Sequence, residues 1–295
     1  MRYDAQKYLT APACASPEIW RLLLGLGLMA GAYIAMGRAY FTLLAEVVTP
    51  GAWPQLAAEI ERGSTARGML ALLASFGLVI LSVGLVARLL HGRSLASLFG
   101  DGRIFTRQTL RVATALTGFA GILWLLPEPE ALTPFHNIDF IGWLALLPLS
   151  VPLLLIQVSA EELLFRGYLQ SQLAARFRSV LAYIVLPALV FGLLHYDREL
   201  AGPNAWALAL SATLFGLAAG DLTARAGTLA PAIALHFFIN AMALLYVAPS
   251  DTLHGLALYT YPFAISDPSL RPVWLPYDLM ILLCAWLAAR LAIGR

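Results

Sequence analysis

Ala-Glu-Glu-Leu-Leu-Phe-Arg-Gly-Tyr, residues 160–168, opens the segment from Ser159 to His195 around which the chain is organised. Two adjacent carboxylates stand here inside long apolar sequence. Ionisable side chains at membrane depth are costly, so they are kept there when they are paired or when they face a polar cavity. Glu161 and Glu162 are therefore the first candidates for function.

The composition is that of an integral membrane protein. The chain has 295 residues, of which 60% are hydrophobic and 12% are charged, and its mean hydropathy is +0.77. Average soluble domains carry about 25% charged residues. The net charge of +2 gives no reason to expect a nucleic-acid partner, and we expect none. The two cysteines, Cys14 and Cys284, exclude a disulfide framework and a thiolate metal cluster.

Repeated apolar runs predict an all-α, polytopic membrane helix bundle of about eight transmembrane helices. At roughly 20 apolar residues per span, the runs fall at 19–44, 69–90, 108–127, 139–160 (continuing as helix to about 175), 179–197, 204–220, 228–248 and 273–293. Runs without period-two alternation argue against a barrel. We divide the chain into N-terminal membrane helices at 1–138, a helix core at 139–248 that contains the two glutamates, and an outer loop with a C-terminal membrane helix at 249–295.

The distribution of Lys and Arg predicts the orientation. With both termini in the cytoplasm, 14 of the 19 basic residues fall on the inner side and five on the outer side. This bias follows the positive-inside rule. The sequence shows no organellar targeting signal and no apolar core of signal-peptide length before Ile19, which favours a multi-pass protein of a prokaryotic plasma (inner) membrane.

The first predicted contact is an ion pair within the fourth span. Residues four apart share a helix face, so Glu162 should pair with Arg166, while Glu161 points elsewhere. Both glutamates could simply be halves of salt bridges, as buried charges usually are. That interpretation accounts for Glu162 and leaves Glu161 without a local partner.

His195 is predicted to lie at the depth of Glu161. The basic region near Arg178 is the natural turn between two antiparallel spans, and it lies midway along the chain between these two residues. At 1.5 Å per residue, each should lie about 25 Å from the turn. A carboxylate and an imidazole at one depth can share a water molecule and activate it.

His236 and Asn240 provide the third element, four residues apart on one face of the seventh span. Hydrogen bonding between helices is one explanation for polar residues at such positions. Together with Glu161 and His195, however, they favour a hydrolytic site, because an imidazole and an amide can donate to a developing oxyanion.

These motifs, Glu161-Glu162-x-x-x-Arg166, Phe191-x-x-x-His195 and His236-x-x-x-Asn240, resemble those of the CAAX protease and bacteriocin-processing (CPBP, or Abi) family. The resemblance covers roughly residues 140–248 and implies an intramembrane endopeptidase related to the type II CAAX prenyl proteases. It further implies that Glu161 and His195 position the attacking water. His236 and Asn240 would stabilise the oxyanion, while Glu162 and Arg166 would brace the site.

The expected substrate is a membrane-associated or lipid-modified protein or peptide, reached from the bilayer or its surface. We expect no cofactor. The alternative is a metalloendopeptidase in which Glu161, His195 and His236 bind zinc or another divalent cation. Two other functions remain open: a non-catalytic membrane scaffold or immunity protein on the same fold, and an ion- or proton-coupled transporter.

Overall fold

The computed structural model describes residues 3–49, 51–127, 129–269 and 271–294, so Arg2 and Arg295, which enter the charge count, lie outside the described residues. Helices dominate the fold. They are α1 (Gln6–Thr10), α2 (Ile19–Val47), α3 (Trp53–Arg62), α4 (Ala66–His91), α5 (Ala96–Phe99), α6 (Gly102–Leu125), α7 (Phe140–Glu162), α8 (Ser171–Arg176), α9 (Leu186–Leu193), α10 (Arg198–Ala201), α11 (Ala205–Ala226), α12 (Ala230–Ala241) and α13 (Arg271–Ile293).

Three stretches of π-helix connect or extend these elements. Leu163–Gln170 joins α7 to α8, Leu181–Val185 leads into α9, and Met242–Tyr246 continues α12. A π-turn is wider than an α-turn and is common at functional sites. The first of these stretches begins directly after Glu162, so the backbone hydrogen-bond pattern changes from α-helical to π-helical at the predicted site.

The prediction of an all-α polytopic bundle is confirmed. Within the described residues, five helices are long and apolar enough to cross a membrane: Ile19–Val47, Ala66–His91, Phe140–Arg176, Arg198–Ala226 and Arg271–Ile293. Two shorter apolar helices are Leu181–Leu193 and Ala230–Tyr246. Each of the eight predicted segments is largely helical. Five spanning helices are fewer than the eight spans expected. Two of the predicted segments form the shorter helices, and α6 is too polar to qualify because its first turns carry basic residues.

Side-chain caps explain where the long helices begin. The carboxylate of Asp139 accepts from Gly142 N at 2.9 Å at the start of α7, and Asp101 caps α6 in the same way. Thr65 accepts from Gly68 N at the start of α4. Each cap satisfies backbone N–H groups that lack an intrahelical partner.

Glycines allow α9 and α11 to pack closely. A Cβ atom at Gly216 would lie 2.9 Å from Ala188 Cα, and one at Gly220 would lie 2.9 Å from Ile184 Cγ2. Small residues at helix interfaces let backbones approach in this way. The Gly216 carbonyl accepts a hydrogen bond from Arg166, in the π-helical stretch that follows α7.

The two ends of the bundle differ. At one end, the N-terminal segment meets the end of α13, where Tyr3 and Trp286 both donate to Asp221. This places the beginning and end of the chain on one side, and their cytoplasmic location stays a prediction. At the other end lies a small sheet of β1 (Phe135–His136), β2 (Val247–Ala248) and β3 (Tyr259–Thr260), in the order β1-β3-β2.

Candidate functional site

The site is built on Glu162, whose side chain is fully buried. Its Oε1 accepts from Arg166 Nη1 at 2.8 Å and from His236 Nδ1 at 2.8 Å. The predicted Glu162–Arg166 ion pair is therefore present. The additional bond to His236 connects α7 to α12 and brings two of the three sequence motifs together.

Arg166 is enclosed by aromatic rings. Its guanidinium carbon lies 4.8 Å from the ring centroid of Phe191, 5.6 Å from that of Phe215 and 5.8 Å from that of Phe165. Its Nη2 also donates to the Gly216 carbonyl at 3.2 Å. Aromatic faces attract a cation, so these rings offset part of the cost of removing the guanidinium from water.

Glu161 faces the opposite side of the His236 ring. Its Oε2 lies 3.4 Å from His236 Nε2, and 16% of the glutamate side chain is exposed, compared with 0% for Glu162. Its four-residue neighbour on the helix is Phe165, so its nearest partner comes from another span. His236 thus has one ring nitrogen toward each glutamate. Glu161 is the more exposed of the two, although its Oε2 is itself enclosed and makes no hydrogen bond.

His195 stands near the end of the fifth predicted segment, four residues after Phe191. Helix α9 ends at Leu193, and His195 lies in the following turn with an exposed side chain. Its Nδ1 is 2.8 Å from the Phe191 carbonyl, which fixes Nδ1 as the donor and leaves Nε2 as the free acceptor. The Phe191 ring neighbours both histidines, because its centroid lies 4.5 Å from that of His195 and 6.1 Å from that of His236.

Asn240 lies one turn beyond His236 and binds a residue that the motifs did not include. Its Nδ2 donates to Gln157 Oε1 at 2.9 Å. Gln157 is buried in α7, four residues before Glu161 and on the same face. A polar side chain four residues from a candidate carboxylate, inside an apolar helix, was a usable sequence signal.

The site lies deep in the bundle. Gly216, which accepts from Arg166, is near the middle of α11. At 1.5 Å per residue, the ion pair is therefore about 15 Å from either end of that helix.

The alternative metal-ligand set does not form a cluster. Glu161 and His236 are close, but among the described residues no group of three or more His, Cys, Asp or Glu side chains is arranged to hold a metal ion. The residues present therefore do not fit the expected three-ligand zinc site.

Comparison with known proteins identifies this region. Residues 142–242 match the family described as type II CAAX prenyl endopeptidase Rce1-like, and all six predicted site residues fall within them. The resemblance inferred from the motifs is confirmed for this segment. The chain is also similar to the uncharacterized protein YyaK of Bacillus subtilis (strain 168), at 26% identity over 147 residues, which are 50% of this chain and 46% of YyaK. The chain thus spans about half the length of that relative. No solved structure matches the chain significantly.

Proposed function

Starting from the Rce1-like segment at residues 142–242, we propose that this chain is an intramembrane endopeptidase that uses glutamate-activated water. The matched family is a family of CAAX-type proteases, which supports a protease at the level of the family. The observation that carries the finer proposal is the position of His236 between the fully buried Glu162 and the partly exposed Glu161. The substrate is a membrane-associated or lipid-modified protein or peptide.

Glu161 is the general base. It takes a proton from water, and the resulting hydroxide attacks the carbonyl carbon of the scissile peptide bond. The tetrahedral intermediate then collapses, the C–N bond breaks, and the proton held by Glu161 passes to the leaving amine. His195 helps to hold the water through its free Nε2 once substrate is bound, since catalytic hydrogen bonds often tighten only in the complex.

His236 and Asn240 stabilise the oxyanion. His236 Nδ1 is committed to Glu162, so Nε2 is the nitrogen that faces the reaction. Donation from Nε2 requires a ring protonated at both nitrogens, and the two flanking glutamates compensate that charge. Donors placed in advance around a developing negative charge lower the barrier without reorganising during the reaction.

Glu162 and Arg166 position this machinery without reacting. Their ion pair is closed to water, and it fixes both the π-helical segment and the His236 ring. We expect the chemistry to need no metal, because the acid, base and oxyanion groups are all side chains of this chain. We also infer a plasma-membrane location with both termini in the cytoplasm.

Reconstitution in liposomes tests the proposal. The probes are two internally quenched peptides with the same CAAX-type C-terminus, one farnesylated and one unmodified, and the products are identified by mass spectrometry. We expect the native protein to release a C-terminal fragment from at least one probe. Identical fluorescence with native protein and with protein-free liposomes, for both probes, would contradict a CAAX-type protease. A scaffold or a transporter would give that result.

A further inference from the structure

We propose that Gln157 is a further catalytic residue, which donates from its Nε2 to the oxyanion and forms a two-amide site with Asn240. This inference rests on the proposed function and deepens it. It assigns a role to a residue outside the three motifs, on the helix that also carries Glu161.

Position is the first argument. Gln157 lies four residues before Glu161, so the two side chains project from the same face of α7, about 6 Å apart along the helix axis. Asn240 has the same spacing from His236 on α12. The two helices thus present matching pairs, with the acid and imidazole groups at one level and the two amides one turn away.

The hydrogen-bond inventory is the second argument. A side-chain amide has two N–H donors. The bond from Asn240 Nδ2 to Gln157 Oε1 uses one donor of the pair. One N–H donor of Asn240 and both N–H donors of Gln157 then remain unused. If Gln157 were the donor and Asn240 the acceptor in this bond, three N–H donors would still remain unused. In the described part of the chain, no further partner is recorded for the Gln157 amide.

Access is the third argument. Only 6% of Gln157 is exposed, yet its Nε2 is not among the sealed side-chain atoms that lack a hydrogen bond. Gln172 provides a contrast, because its Nε2 is sealed and unbonded. The Gln157 amide therefore retains contact with open space. Free donors at such a point suit an incoming oxygen atom that carries negative charge.

A purely structural role predicts something different. Hydrogen bonds between membrane helices contribute little to stability on average, so a tether would affect folding modestly and would not distinguish the ground state from the transition state. An oxyanion donor acts mainly in the transition state and changes kcat more than KM. The two roles can therefore be separated by kinetics.

The experiment uses full-length protein in liposomes with the better of the two CAAX peptide probes. Gln157→Met keeps the length of the side chain and removes its donors, and Gln172→Met is the matched control in a buried position away from the site. We expect Gln157→Met to lower kcat about 10²–10³-fold, as for the loss of one oxyanion donor, with KM within about twofold. Gln172→Met should retain native kcat.

A phosphonate analogue of the probe, which mimics the tetrahedral intermediate, provides a second readout. Its affinity should fall in Gln157→Met by a factor close to the loss in kcat/KM, while the affinity for uncleaved peptide stays unchanged. Native kcat in Gln157→Met, or equal losses of phosphonate and peptide affinity, would overturn the inference and leave the proposed function intact. A native protein that cleaves neither probe would overturn both.

Discussion

Replacing Glu162 by glutamine should destabilise the fold more than any other single change at the site. The substitution keeps the shape of the side chain but leaves the Arg166 guanidinium, which is 1% exposed, without the Glu162 carboxylate that lies 2.8 Å away. Removing one partner of a buried pair costs about 3–5 kcal/mol. Each 1.4 kcal/mol is a factor of ten, so the ratio of folded to unfolded protein should fall by roughly 10² to 10⁴.

The aromatic rings around Arg166 do not compensate for the missing carboxylate. The three rings around Arg166 attract it in the native protein and in the variant alike, so these contacts do not offset the loss. The double variant Glu162→Gln/Arg166→Leu removes the uncompensated charge and should recover most of the stability, because an apolar replacement of a buried pair is often neutral.

Unfolding in mixed detergent micelles, followed by circular dichroism, measures these differences. Glu161→Gln is the matched control, since Glu161 is partly exposed and no arginine depends on it. The order of stability should be native, Glu161→Gln, the double variant, and Glu162→Gln last. A Glu162→Gln protein as stable as Glu161→Gln would refute the assignment of Glu162 as the structural partner and Glu161 as the reactive group.

Three further predictions concern other parts of the chain. Tyr168→Phe removes the hydroxyl that lies 2.9 Å from His91 Nε2. The free energy of unfolding, measured in detergent, should fall by about 1–3 kcal/mol because a buried ring nitrogen loses its hydrogen-bond partner. The Arg67 guanidinium holds the pKa of Glu59 at about 2, so stability from this pair should be complete above about pH 4.5 and lost as pH falls toward 2. Melting curves should show a smaller acid loss in Glu59→Gln, and an equal loss would contradict the pair. Peptide cleavage should survive strong chelators, and activity that vanishes and returns only with zinc would contradict the metal-free mechanism.

Local spacing predicted the parts of the site that depend on one helix. The four-residue interval between Glu162 and Arg166 gave their ion pair, and the interval between His236 and Asn240 placed both on one face. The long apolar runs predicted the positions of the helices, because a segment that spans a membrane must be apolar and must satisfy its own backbone hydrogen bonds. These relations need no knowledge of how the helices pack.

The features that the sequence did not predict depend on how the helices pack against one another. Gln170, one turn after Arg166, is buried and donates to Gln6 of α1, a contact between distant parts of the chain that local spacing does not indicate. His195 was expected inside a span and lies beyond the end of α9, since the length of a helix depends on its neighbours. The π-helical segment after Glu162 had no recognisable sequence signal. Gln157 had one, in its four-residue spacing from Glu161.

The central claim is that Glu161 activates the attacking water, and its most direct test is the rate of peptide cleavage by Glu161→Gln protein in liposomes. Glu199→Gln is the control, because Glu199 is an exposed glutamate in α10. Losing a general base typically removes about 10²–10⁴ in rate. We predict that loss in Glu161→Gln at an unchanged melting temperature, with native rates in Glu199→Gln. A folded Glu161→Gln protein that cleaves the probe within a few-fold of the native rate would contradict the account.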